Sequence, residues 1–139
     1  MSFTTRAQVR FADVDPAGIV FYPRYFEMLN AAVEDWFAQE LGVDFATLHL
    51  RRRIGTPTVR LECDFVAPGE LGDALEIELT TLALGRSSCT IAYRISGGGT
   101  DRLHAKAVLV CMDLESQKAM PWPDDLRAAI AAGIAEAVE

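Results

Sequence analysis

The 139-residue sequence carries 13 Lys and Arg against 20 Asp and Glu, a formal net charge of −7, and half of its residues are apolar. This is the length of one globular domain, 1–139, with a composition far from disordered or fibrous chains. The acidic balance, with no basic run beyond Arg51-Arg52-Arg53, disfavours a nucleic-acid partner, and neither an apolar signal core nor a membrane-length apolar stretch is evident, so a cytoplasmic protein is expected.

Thr5 to Ala12 alternate polar with apolar residues, which predicts a half-buried strand. Asp13-Val14-Asp15-Pro16-Ala17-Gly18 then forces a turn, because Asp-Pro and Gly interrupt regular structure. From about 22 to 41 the large apolar residues Tyr25, Phe26, Leu29, Val33, Trp36, Phe37 and Leu41 recur at three- and four-residue steps, one face of a long helix. Pro23 suits the first helical turn and Gly42 the C-terminal cap.

A polar, basic segment follows, with His49 read as a loop residue and Arg51 to Arg53 as a solvated run. Val59, Leu61, Cys63 and Phe65 alternate with charged residues, predicting a strand with one buried face, and Leu75, Ile77 and Leu79 repeat the pattern. Cys89, Ile91, Tyr93 and Ile95 form a third strand, joined through Gly97-Gly98-Gly99 to a fourth at about 102–113, which is apolar on both faces and therefore placed centrally. His104 falls in that strand, on the side away from Leu103 and Ala105, with no acidic partner evident in sequence.

Asp124 and Asp125 open a second helix to about Val138, with Leu126, Ile130, Ile134 and Val138 at every fourth position. Cys63, Cys89 and Cys111 are odd in number and embedded in strand patterns, which reads as free buried thiols; no spacing of Cys or His suggests a metal site. A long apolar helix among four or more strands needs a sheet to cover its buried face, so the expected class is α+β, an antiparallel sheet wrapped around one helix.

The chemistry concentrates at Asp13 to Pro23, where two carboxylates sit in a turn feeding a helix N-terminus, whose unpaired amides can polarise a carbonyl. Acyl transfer needs that pairing of an attacking or water-activating group with oxyanion donors. Asp is equally at home in a turn for local hydrogen-bonding reasons, so spacing alone leaves both readings open.

The segment DVDPAGIVFYPRYFEMLNAAVEDWF, followed by IGTPTVRLECDFVAPGELGDALEIE and more weakly by GRSS, resembles the 4-hydroxybenzoyl-CoA thioesterase type of hot-dog protein over most of the chain up to about residue 114. The resemblance implies a five- or six-stranded antiparallel sheet around the long helix, here with a C-terminal helix added. It also implies homodimers or homotetramers with active sites at the subunit interface, an acyl-CoA substrate, and no metal or redox cofactor.

Residue by residue, the aspartate before Pro-Ala-Gly matches Asp15 as the catalytic carboxylate, nucleophile or general base, and the main-chain N–H at Tyr22 as the donor to the thioester carbonyl. Asp13 reads as support for the turn. Gly18, Asn30 and Thr56 are candidate substrate-binding positions, and Arg86 and Ser87 are candidates for the CoA nucleotide. Family members acting on a 4-hydroxybenzoyl group tend to carry an aspartate where this chain has Asn30, which leaves benzoyl, another aryl or a short acyl group open. The alternatives are a non-catalytic acyl-CoA or acyl-carrier-protein binding module and a hot-dog hydratase or dehydratase, which would want a histidine in the pocket.

Overall fold

The computed structural model describes the backbone of residues 2–138 and the side chains up to residue 134. In chain order the elements are β1 (Phe3–Gln8), α1 (Pro23–Trp36), β2 (Ile54–Gly55), β3 (Thr58–Phe65), β4 (Ala74–Leu84), β5 (Ser88–Gly97), β6 (Thr100–Val110), β7 (Met112–Asp113), β8 (Lys118–Ala119) and α2 (Asp124–Val138). Five strands form one antiparallel sheet in the order β1-β4-β5-β6-β3, and β2-β7-β8 make a small second sheet.

The core follows from strand alternation. Leu75, Ile77 and Leu79 of β4, Cys89, Ile91, Tyr93 and Ile95 of β5, and Leu103, Ala105, Ala107 and Leu109 of β6 are all buried. Register sets large against small residues, with Ile91 opposite Ala107 and Tyr93 opposite Ala105, so the layer fills without overpacking. Helix α1 buries Tyr25, Met28, Leu29, Ala32, Val33 and Trp36, each such large side chain being worth ~1.5–3 kcal/mol. Thr5 Oγ1 donates to Asp35 Oδ2 at 2.8 Å and so ties β1 to α1.

The helical pattern continues past Trp36 as a widened turn at Phe37–Leu41, which ends at Gly42 with φ +81°. Only a residue free to take the left-handed region stops the helix cleanly there. In α2, Leu126 and Ile130 are buried beside Trp122, whose indole N–H donates to the Ser88 carbonyl at 3.0 Å; the Val138 side chain lies outside the described residues.

Several expectations are corrected. The first strand ends at Gln8 rather than Ala12, because Asp13 Oδ2 accepts the Arg10 N–H at 2.9 Å and winds Phe11–Asp13 into a short helical turn. The segment after Gly42 is not a loop. Asp44 Oδ1 accepts the Thr47 N–H at 2.7 Å and caps a helical turn that runs through Thr47–Arg51 and contains His49. Arg52 is not merely solvated, since it makes a two-pronged pair with Asp125 of α2 at 2.8 and 2.9 Å, which also holds that carboxyl below its ordinary range.

The strand predicted to bury one face departs most. Val59, Leu61 and Phe65 of β3 are exposed at 61%, 40% and 51%. The alternation is real, but β3 lies at the sheet edge and is covered only in part, Cys63 by the core and Phe65 by the rings of Tyr22, Tyr25 and Phe26. Cys89 and Cys111 are buried free thiols, pushed by burial up to about 12 and about 11, whereas Cys63 on β3 is only half-buried.

Candidate active site

Asp15 opens a tight hairpin. Its carbonyl accepts the Gly18 N–H at 2.9 Å and its N–H donates to the Ile19 carbonyl at 3.0 Å, so Pro16 and Ala17 form the tip and Gly18 takes φ +78°. This is the three-residue hairpin geometry in which the last turn position needs the left-handed region, and Pro at the tip presets the backbone before it. One carboxylate oxygen of Asp15, Oδ1, accepts the Ala17 N–H at 2.8 Å, and the half-buried side chain makes no ion pair among the described residues. Asp13 braces the turn from outside, its carbonyl accepting the Phe21 N–H at 2.8 Å.

The helix start selects one donor. Pro23 has no N–H, while Arg24 and Tyr25 donate back to the carbonyls of Phe21 and Tyr22 at 2.8 and 3.1 Å. Among the described residues that leaves the Tyr22 N–H as the amide of this corner without an acceptor, at the positive end of the α1 dipole.

A loop between β3 and β4 clamps the corner. Gly69 accepts the Val20 N–H at 2.8 Å, Leu71 donates to Gly18 at 3.0 Å, and the buried Tyr25 phenol oxygen, from the first turn of α1, accepts the Gly69 N–H at 2.9 Å. Burial raises the Tyr25 phenol above its ordinary range, keeping it neutral. Arg102 anchors the same loop, donating to Pro68 O and Asp73 Oδ2 at 2.8 Å each and to Gly97 O at 3.0 Å. Asp73 is held below the usual carboxylate range by the Glu70 N–H and by Arg102.

Around Tyr22 the rings of Phe21, Phe26 and Phe65 stand edge-on or tilted, with centroids 5.7 to 6.4 Å apart among Tyr22 and its neighbours. Phe21 and Tyr22 are half exposed, and a shallow cavity of about 290 Å³ lies beside them, lined by Val20, Tyr22, Tyr25, Phe65 and Pro68 among others. Asp15 sits one hairpin away and does not line that cavity.

Asn30 and Thr56, far apart in sequence, line one cavity of about 510 Å³ together with Val33, Phe45, His49 and Leu109. Arg86 and Ser87 lie elsewhere, in the turn joining β4 to β5. The Arg86 carbonyl accepts from Trp122 and Arg127, Ser87 O accepts the Cys111 N–H at 2.7 Å, and the Arg86 side chain is exposed. Within one chain the structure therefore groups Asp15 with Gly18, and Asn30 with Thr56, while Tyr22 stands at the aromatic cavity and Arg86 and Ser87 stand apart.

Both histidines differ from expectation. His104 has an acidic partner after all: Nε2 lies 2.7 Å from Asp101 Oδ2 on the outer, exposed face of the sheet. His49 is a wall of the Asn30 cavity, held by its Nδ1 at 2.9 Å from Phe45 O. The available signal for His49 was helical spacing, Asp44 three residues before Thr47 and Phe45 four before His49.

A five-stranded antiparallel sheet packed on one long helix, with a carboxylate hairpin leading into the start of that helix, defines the hot-dog class, and the sequence comparison agrees. The thioesterase-like superfamily profile matches residues 9–130. The chain belongs to the thioesterase-like superfamily of hot-dog proteins, a class of thioester hydrolases. It is 31% identical over 120 residues to a 1,4-dihydroxy-2-naphthoyl-CoA hydrolase of Synechococcus elongatus, covering 86% of this chain and 88% of the relative. It is 32% identical over 132 residues to the 4-hydroxybenzoyl-CoA thioesterase of a Pseudomonas species, covering 89% and 94%. The crystal structure of an Asp-to-Asn mutant of 4-hydroxybenzoyl-CoA thioesterase with 4-hydroxybenzoyl-CoA superposes with a TM-score of 0.85 at 27% identity, over 93% of this chain and 98% of that one. Among the described residues no helix is long and apolar enough to cross a membrane.

Proposed function

We propose that the chain hydrolyses an aromatic acyl-CoA to the free acid and CoA, with Asp15 as the essential carboxylate and the Tyr22 N–H polarising the thioester carbonyl. The observation that carries this reading is the helix corner itself, where Pro23 and two tight backbone bonds leave one amide donor, and where the Asp15 hairpin is held by the Gly69 loop. Asp15 either attacks the thioester carbon, expelling CoA thiolate and forming an anhydride that water then opens, or takes a proton from the attacking water. Both routes load negative charge onto the carbonyl oxygen, the charge that a preorganised amide stabilises. The scheme calls on protein groups and water alone.

The aromatic preference draws on the ring cluster at Tyr22 and on the names of the relatives, one acting on a dihydroxynaphthoyl and one on a hydroxybenzoyl thioester. Gly18, Asn30 and Thr56 are assigned to the acyl and pantetheine path, and Arg86 and Ser87 to the phosphates of CoA, for which guanidinium and hydroxyl groups are suited. A cytoplasmic setting, where acyl-CoA substrates are made, is part of the same proposal.

The exposed apolar residues of β3, Val59, Leu61 and Phe65, support assembly as a homodimer or homotetramer with the active site completed at the interface, because an incompletely covered apolar edge strand of this kind is normally paired or covered. The test is release of free CoA from benzoyl, 4-hydroxybenzoyl, phenylacetyl, acetyl and hexanoyl thioesters. Fastest turnover is expected on an aryl thioester. Binding without thiol release from any of them would instead indicate a non-catalytic acyl-CoA module.

A further inference from the structure

The turn that joins β4 to β5, Gly85-Arg86-Ser87-Ser88, has every one of its carbonyls engaged. Arg127 Nη2 donates to Gly85 O at 2.7 Å and to Arg86 O at 3.0 Å, and Arg86 O also accepts the Trp122 N–H at 3.1 Å. Ser87 O accepts the Cys111 N–H at 2.7 Å, while Ser88 O accepts the Gly85 N–H at 2.8 Å and the Trp122 indole N–H at 3.0 Å. Apart from Gly85, the donors are Cys111, between β6 and β7, and two residues at the start of α2. Buried Trp122, Leu126 and Ile130 fix that start in the core, and the pair between Arg52 and Asp125 ties it a second time.

This bonding sets where the amides of the turn point. Among the described residues no peptide bond is cis, and in a planar trans peptide the N–H lies opposite the C=O. Gly85 O and Arg86 O both turn toward one Arg127 nitrogen, so the N–H groups of Arg86 and Ser87 turn away from it. Neither N–H has an acceptor among the described residues. Two successive free amides on one side of a turn suit an anion. The exposed Arg86 guanidinium and that of Arg127 flank the turn, and neither is paired with a carboxylate among the described residues.

Resting on the assignment of Arg86 and Ser87 to the phosphates of CoA, we propose that Arg127 is a positioning residue for the nucleotide end of the substrate. By drawing two carbonyls of the turn toward α2, it presents the Arg86 and Ser87 amides outward to a phosphate. Its side-chain bonds go to the turn and none goes to the Asp15 hairpin, so it acts on binding and leaves the chemical step alone.

The test measures kcat and KM for 4-hydroxybenzoyl-CoA and for the same acyl group on N-acetylcysteamine, a thioester without the nucleotide. The proteins are the parent, Arg127→Met, Arg127→Lys and, as a control, Arg6→Met, which removes an exposed charge on β1 against the far end of β4. In Arg127→Met, KM for the CoA thioester should rise about tenfold or more while kcat stays within about twofold, and both constants for the truncated thioester should keep their parental values. Arg127→Lys, which keeps a cationic N–H donor, should recover part of the loss, and Arg6→Met should match the parent. An unchanged KM in folded Arg127→Met overturns the inference, and so does an equal rise on the truncated thioester. Should Arg127→Met not fold, the amide spectrum of the parent decides. Adenosine 3′,5′-bisphosphate, which carries the phosphorylated nucleoside of CoA, should shift the Arg86 and Ser87 amide resonances, and unmoved resonances overturn the inference. A parent that binds this nucleotide at those amides but releases no thiol defeats the hydrolysis proposal and not the assignment of Arg127, whereas thiol release with unmoved amides does the reverse.

Discussion

The Tyr25 phenol oxygen accepts the Gly69 N–H at 2.9 Å, joining the first turn of α1 to a loop 44 residues later. Gly69 in turn accepts from Val20, so this one bond links the helix, the loop and the strand that returns from the Asp15 hairpin. A Cβ added at Gly69 would lie 2.7 Å from Tyr25 Oη and 3.1 Å from Val20 Cγ2, so the approach has no room for a side chain.

Replacing Tyr25 by Phe leaves the buried Gly69 N–H unpaired, and the expected cost is about 1–3 kcal/mol of unfolding free energy. Denaturant unfolding measures it. Turnover should fall as well, since the loop that braces the hairpin loosens.

The Asp73 and Arg102 pair gives the protein an acid-sensitive contact. Asp73 is depressed below its ordinary 3.8 by the Glu70 N–H and by Arg102. A carboxylate lowered by folding contributes stability that is fully present above its unfolded pKa and is lost as pH falls through the folded one. Stability of the parent should therefore drop with acid below about pH 4, and Asp73→Asn should flatten that part of the profile while lowering stability at neutral pH. An acid limb with the parental slope in Asp73→Asn would contradict the assignment.

Asp15→Asn is the direct probe of chemistry. An asparagine Oδ1 can still accept the Ala17 N–H, so the hairpin and the unfolding midpoint should be retained. Turnover should fall on the order of 10³-fold or more, about 4 kcal/mol of transition-state stabilisation. Activity within tenfold of the parent would exclude Asp15 as the essential carboxylate.

At Gly18 the position is open, with nothing within 4 Å of an added Cβ, yet φ is +78°. The cost of Gly18→Ala is thus backbone strain alone, about 1–2 kcal/mol. Because that strain falls on the hairpin carrying Asp15, kcat should respond more than the unfolding midpoint.

Leu61→Glu addresses assembly. Leu61 is 40% exposed in the single chain, so the substitution costs the protomer little, whereas in an oligomer covering β3 it buries a charge. Sedimentation should report a single-chain mass for the variant and a multiple of it for the parent, with thiol release reduced in step. Equal masses would place the interface elsewhere.

The strands of the sheet were readable from alternation because β4, β5 and β6 have one buried face each, and burial at every second residue leaves a period of two in the chemistry. β3 carries the same alternation, yet Val59, Leu61 and Phe65 remain partly exposed at the sheet edge, because periodicity records which residues are apolar and not how much of each is covered. The helical turn bearing His49 was missed because a basic run, Arg51 to Arg53, dominates the segment, while its cap, Asp44 to Thr47, is local and short. Arg102 reads in sequence as one more strand charge; that it holds two acceptors of the β3–β4 loop and one at the end of β5 is a consequence of where β6 begins.

The amino-acid order by itself determined the hairpin and the helix that follows it, since Asp-Pro-Ala-Gly and Pro23 act through bonds between residues a few positions apart. Only the tertiary structure decided that the Gly69 loop holds that corner, which groups share a cavity with Asn30, and that His49 is one of them. Those relations join residues tens of positions apart, and they exist only once sheet register and helix packing have brought the segments together.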